Sequence, residues 1–333
     1  MTSTDDVGTA VPDSRPGPIL PAQAPAGHQP GKGAGRRRGE GREGLAAAFF
    51  LAPDVLGLAI FVLLPMLLAL GVSLFQVDGF GGYTFVGLDN FRQMLGDAAL
   101  WESVKVTLIY VVTFVPLCFA AGLGLALLVR DHFPGVAGVR TALFLPHVIS
   151  LVVVGMLWQF LLVDKQGMVP TLLAPLGLGD VSWLGTPSLA LGTFVLISVW
   201  FLMGYQMLIF VSGLKDIPKE YGEAARIDGA SAWQRFRHVT WPLLRPTSFF
   251  VLITLTVNAV TGLQAFDLVW ALTEGGPANA TTTVVFYIYQ QAFSFNNYGY
   301  AAALTSVVVA FLVMVTGVMF AMTRGGRFDA DER

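Results

Sequence analysis

Six apolar runs, each about 20 residues or longer and almost free of charge, occupy much of this chain. About 20 such residues is the length a helix needs to cross some 30 Å of hydrocarbon. The runs fall near residues 49–75, 104–129, 142–163, 188–211, 249–272 and 301–322. Lipid offers no hydrogen bonds, so each segment must pair its backbone groups internally and is read as a helix. The bulk composition agrees, with 54% hydrophobic and 13% charged residues against about 25% charged in soluble domains. The expected fold class is an all-α polytopic membrane protein of six transmembrane helices, with membrane lipid as its solvent.

The placement of lysine and arginine orients the runs, because the cytoplasmic side retains them. Seventeen of the 20 fall in the N-terminal stretch, the second and fourth connections and the C-terminus, leaving only Arg92, Lys105 and Lys165 on the other face. Both termini and the fourth connection are therefore expected in the cytoplasm. Residues 1–43 are rich in Pro, Gly and Ala and end in Lys32, Arg36, Arg37, Arg38 and Arg42, with little to bury. A stretch of that kind cannot offset its ordering entropy and reads as a disordered basic tail. The membrane domain then covers 44–323, and 324–333 form a short second tail.

Several chemistries are missing. The glycines of "GKGAGRRRG" lack the spacing of a phosphate-binding loop, and no such loop occurs elsewhere. Neither H-E-x-x-H nor G-x-S-x-G is present, so no catalytic residue and no metal ligand set is expected, and the chain reads as a non-enzyme. A single cysteine, Cys118, excludes an intrachain disulfide. A net charge of -2 gives no pull toward nucleic acid. An ion-coupled carrier or channel is the alternative class, but such proteins place ionisable groups near mid-membrane. Here Asp54 and Asp267 lie toward span ends and the middles of the spans carry no Asp, Glu, Lys or Arg. A membrane enzyme acting on lipid-linked sugars would need an acid and base pair that the chain does not offer.

The fourth connection, 213–246, holds the densest polar stretch, "EYGEAARIDGASAWQRFRHVTWPLLRP". Each of its charges would cost about 2 to 3 kcal/mol inside the bilayer, so it lies outside. Asp216 can cap a first helix with Pro218 in its opening turn, Gly229 can end it, and Ser231 with Gln234 forms a capping box for a second helix. A helix, a glycine turn and a helix result. Resting on headgroups, connecting in solvent and docking on another protein all fit that shape. Two adjacent alanines beside a glycine turn suit close approach of another backbone.

Glu223, Ala224, Ala225, Asp228, Gly229, Val239 and Pro242 resemble the EAA loop of permease subunits of binding-protein-dependent ATP-binding-cassette importers. "LKDIPKEY" before it, "FVGLDNFRQML" after the first run and "LQAFDLVWALTEGGPANATTTVVFYIYQQAF" after the fifth are similar to the sugar-permease branch. Trp241, Val239 and Glu274 depart from that pattern, where leucine, isoleucine and a more glycine-rich turn are expected. The resemblance implies a bacterial plasma-membrane protein whose loop docks as a coupling helix on a separate cytoplasmic ATPase dimer. Glu223 would be the polar anchor, Ala224 and Ala225 the packing face, Gly229 the turn steadied by Asp228, and Pro242 part of the same motif. It also implies a second, homologous permease subunit and an extracytoplasmic solute-binding protein. ATP and magnesium would sit on the ATPase and no cofactor on this chain. Sugar or oligosaccharide is the solute class implied, with glycerol phosphate or a polyol next.

Sugars are held by amides, hydroxyls and aromatic faces. Asn258, Thr261 and Gln264 share one broad face of the fifth run, and Trp158, Gln159, Trp200, Tyr205 and Gln206 lie elsewhere in the spans. These are candidate lining residues, although polar groups in membranes also hydrogen-bond helix to helix.

Overall fold

A computed structural model describes residues 40–77, 81–131, 133–261 and 264–325. Most of the expected basic tail, and the end of the C-terminal tail, lie outside the described residues. The chain divides after Ala59 into two units. The first ends in α1, Glu40–Leu58. A π turn, Ala59–Leu63, leads into α2, Leu64–Val72. The apolar stretch Phe49–Val72 buries none of its side chains, as a lipid-facing helix should. Its helix stops at Val72, short of the expected end, because Phe75–Val77 (β1) pairs antiparallel with Tyr83–Phe85 (β2).

The remaining helices follow in order. Asp89–Gly96 is α3, Ala98–Val129 is α4, Val136–Val148 is α5, Leu151–Leu161 is α6 and Met168–Leu173 is α7. Pro187–Lys215 is α8, Lys219–Ile227 is α9, Ala232–Arg235 is α10 and Trp241–Leu243 is α11. Arg245–Thr261 is α12, Val269–Leu272 is α13, Val284–Tyr289 is α14 and Tyr298–Gly325 is α15.

Four stretches are long and apolar enough to span alone: Phe49–Val72, Ala98–Val129, Pro187–Lys215 and Tyr298–Ala321. Two bent helix pairs bring the number to as many as six if each pair is one span. The second run starts earlier than expected because Asp97 caps α4. The third run is not one straight helix: α5 and α6 meet at 95°. Extended backbone at Ile149 and Ser150 breaks it, which hydropathy cannot register because both sides of the break are apolar.

The core forms around α8, whose apolar window is 61% buried against 28% for α4. Tyr110 packs on Phe194 at 4.6 Å, and Gly122 meets Gln206 further along, so α4 and α8 run parallel and in register. Val251, Leu255 and Ala259 of α12 complete this core. Lipid tails are as apolar as leucine, so close packing through small residues must hold these helices together. Gly204 shows it: a Cβ there would overlap the Leu143 carbonyl of α5.

Candidate functional site

The fourth connection folds as a helix, a turn and a helix. The first helix, α9, starts after Pro218, which bears no side-chain cap. Asp216 does not cap it, contrary to the sequence reading. It instead closes α8, where its helical φ of -72° and ψ of -13° continue that helix. The end of α9 is tightly specified. Ala230 N–H reaches the Ala225 carbonyl at 2.9 Å, Gly229 N–H reaches Arg226 at 3.1 Å, and Gly229 sits at φ +79°. This is a Schellman turn, whose left-handed residue is most easily glycine.

The second helix begins with the expected capping box. Gln234 N–H donates to Ser231 Oγ at 3.3 Å, and Ser231 N–H donates to Gln234 Oε1 at 2.8 Å. Arg235 Nη1 donates to the Ala230 carbonyl at 2.9 Å, which ties the second helix back to the turn. A π turn, Phe236–Thr240, follows and runs into Pro242. Proline has no N–H to donate and its ring crowds the carbonyl four residues back, so a widened turn just before it is the expected response. The chain then bends by 69° into α12.

Glu223, Ala224 and Asp228 are exposed, Ala225 is half-buried and Gly229 has open space where a side chain would project. A pocket of about 350 Å³ behind them is lined by Ala225, Asp228, Gly229, Gln234, Arg235 and His238. Two residues outside the EAA-like set stand out on this surface. Ile227 is 86% exposed and Trp233 is 66% exposed. An isoleucine at the end of a charged helix was the available signal for the first. Trp241, where leucine was expected, lies between the loop and the bundle: its ring centroid is 6.2 Å from Phe236 and 6.3 Å from Phe119 of α4.

The second candidate set lies within the spans. Asn258 and Thr261 are exposed and one turn apart on α12. Asn258 Nδ2 donates to the Thr254 carbonyl at 2.8 Å, and Thr261 Oγ1 to Val257 at 3.1 Å, so these bonds stay within their own helix. Gln264 opens a π turn, Gln264–Leu268, and only its backbone is described. Gln206 does not join a lining surface. It is fully buried against Gly122, with both amide atoms unpaired among the described residues. Trp158 and Trp200 meet edge to face at 5.6 Å and, with Trp183, line an apolar cavity of about 350 Å³. Gln159 is exposed. Tyr205 stacks at 4.8 Å on His147. His147 stands beside the 95° break, where Ile149 and Ser150 are exposed. Irregular backbone at membrane depth survives only against protein or a water-filled cavity.

Residues 122–325 match the family described as "Binding-protein-dependent transport system inner membrane component". The sn-glycerol-3-phosphate transport system permease protein UgpA of Brucella abortus biovar 1 (strain 9-941) is 36% identical over 275 residues, covering 82% of this chain and 92% of that protein. This chain belongs to that family. It is thus an ABC importer permease, a multi-pass membrane transport protein and not an enzyme. The permease is also 30% identical to the trehalose/maltose transport system permease protein MalF of Thermococcus litoralis (strain ATCC 51850 / DSM 5473 / JCM 8560 / NS-C), over 87% of this chain and 96% of that one. Its fold is similar to a chain of the bacterial alginate ABC transporter, solved in complex with an alginate pentasaccharide-bound periplasmic protein. The TM-score is 0.75 at 22% identity, covering 87% of the permease and 97% of that chain.

Proposed function

We propose that this permease forms half of the translocation pathway of an ATP-driven importer for a sugar or oligosaccharide, and that its 213–246 loop couples it to a separate ATPase dimer. The observation that carries the coupling reading is the exposed Glu223, Ala224 and Ile227 surface on a helix fixed at its far end by a Schellman turn. A stiff element with an outward apolar residue is what a rigid-body drive requires. Glu223 anchors it, Ala224 and Ala225 seat it, and ATP with magnesium stays on the partner. Both termini and this loop face the cytoplasm of a bacterial cell, in keeping with the distribution of lysine and arginine. A second permease subunit completes the pathway, and a solute-binding protein delivers the solute to the opposite face.

The names of the relatives support a carbohydrate or a polyol phosphate as solute. The neutral amide and hydroxyl of Asn258 and Thr261 favour an uncharged, hydroxyl-rich molecule. Gly229→Asp tests the coupling. The chain should insert at normal levels and the assembled complex should still hydrolyse ATP. Uptake of labelled maltose, trehalose or sn-glycerol-3-phosphate, whichever the parent takes up, should fall by about tenfold or more. Unimpaired uptake by this variant would sink the docking role.

A further inference from the structure

Asp97 stands one residue before α4 and shares its carboxylate among elements far apart in sequence. Oδ1 accepts from the N–H groups of Ala99 at 3.0 Å and Leu100 at 3.2 Å, which caps α4. Oδ2 accepts from the hydroxyls of Tyr287 at 2.6 Å and Tyr300 at 2.5 Å. Tyr287 belongs to α14 and Tyr300 to the first turn of α15. The network runs on: Gln291 Nε2 donates to the Tyr287 hydroxyl at 2.8 Å, and Asn297 Nδ2 to Gln291 Oε1 at 3.1 Å. Behind it Met94, Leu100, Tyr287, Tyr300, Ala303 and Leu304 form a small buried cluster separate from the main core. In front lies an open pocket of about 530 Å³, lined by Gln93, Asp97, Tyr287, Gln291, Phe295 and Asn297. Since α4 runs parallel to α8, this end of the bundle is opposite the 213–246 loop.

Capping needs one acceptor oxygen. The second oxygen takes two phenol donors, and bonds to an ionised acceptor are about twice as strong as neutral ones. We propose that Asp97 is a positioning residue for transport: its second carboxylate oxygen locks the starts of α4 and α15 to α14 as one rigid plate. The plate carries the 273–300 connection toward the solute-binding protein and sets how well that protein engages. This consequence rests on the importer reading above, whereas the lock itself does not. Val284 N–H also donates to Thr107 Oγ1 of α4 at 2.9 Å, a separate tie that keeps α14 docked when the tyrosine bonds are cut.

Two variants separate lock from cap. Asp97→Ser keeps a capping oxygen and deletes the tyrosine acceptor, while Tyr287→Phe with Tyr300→Phe keeps the cap and deletes the donors. The full chain would be purified in lipid nanodiscs with its co-purifying partners, and ATP turnover measured against added binding protein. Both variants should raise the half-saturating concentration of binding protein by about fivefold or more and leave unstimulated turnover unchanged. All three changes together should be no worse than either variant. Amide exchange of the chain itself, at residues 284–289 and 298–301, should rise together in both variants. Wild-type half-saturation in Asp97→Ser, or additive losses, would overturn the proposal and leave a helix cap. If added binding protein leaves the parent's turnover unchanged, the binding-protein part of the proposed function fails and exchange decides the lock: a joint rise sustains it and unchanged exchange overturns it.

Discussion

Asn258 and Thr261 each direct a donor to their own helix, which leaves the Asn258 carbonyl oxygen and second N–H, and the Thr261 lone pairs, available to a solute. If they line the pathway, Asn258→Ala and Gln264→Ala should each raise the KM for uptake several-fold, by about 1 kcal/mol per lost hydrogen bond, with little change in the amount of protein. Unchanged kinetics in both would remove the fifth span from the pathway. Asp97 offers a second residue-level test. Burial pushes its carboxyl up, but hydrogen bonds from Tyr287, Tyr300, Leu100 and Ala99 outweigh that and hold it below the ordinary 3.8. A depressed folded value means that its stabilisation is complete above the ordinary value and lost as pH falls through the lowered one. After correction for intrinsic rates, amide exchange at 284–289 should be flat from about pH 7 to about pH 4 and quicken only in stronger acid. Asp97→Asn should abolish that step. The EAA-like residues were legible because motif and spacing are local. Asp97 was not, since its partners Tyr287 and Tyr300 lie at the far end of the chain and nothing in "GDAALWES" points to them.

At the scale of elements, capping chemistry was readable and bends were not. Ser231 and Gln234 announce a helix start three residues apart, and the structure realises both bonds. Gly229 likewise announced a helix end. Asp216 was misread because a short polar residue before a proline suits either a helix start or a helix end, and the continuation of α8 decided between them. The break between α5 and α6 was hidden for a different reason: in "LPHVISLVVV" His147 and Ser150 are single polar residues between apolar neighbours, too few to interrupt the apolar run. Pro146 was the one available sign. Ser231→Ala removes one half of the capping box and should cost about 1 kcal/mol locally. Exchange of the α10 amides should rise several-fold while the spans stay protected. Protection equal to the parent would mean that packing of Trp233 on Phe236, not the cap, holds this helix.

For the whole molecule, hydropathy located the apolar runs because lipid leaves the backbone so few options; four are single long helices and the count reaches six if each bent pair is one span. What it could not supply is which helix is central. That property belongs to α8, and it arises from small residues such as Gly204 and Gly213 that let α5 and α12 approach closely. The face of Asn258 and Thr261 and the α9 surface are exposed among the described residues, which fits the proposed role of a subunit whose pathway and drive are completed by other proteins. Recovery of the tagged chain from its native membrane in mild detergent, followed by mass spectrometry of what accompanies it, tests this account most directly. The account predicts an ABC ATPase, a second six-span permease and a solute-binding protein. Recovery of the chain alone, under conditions that keep a control importer intact, would contradict it.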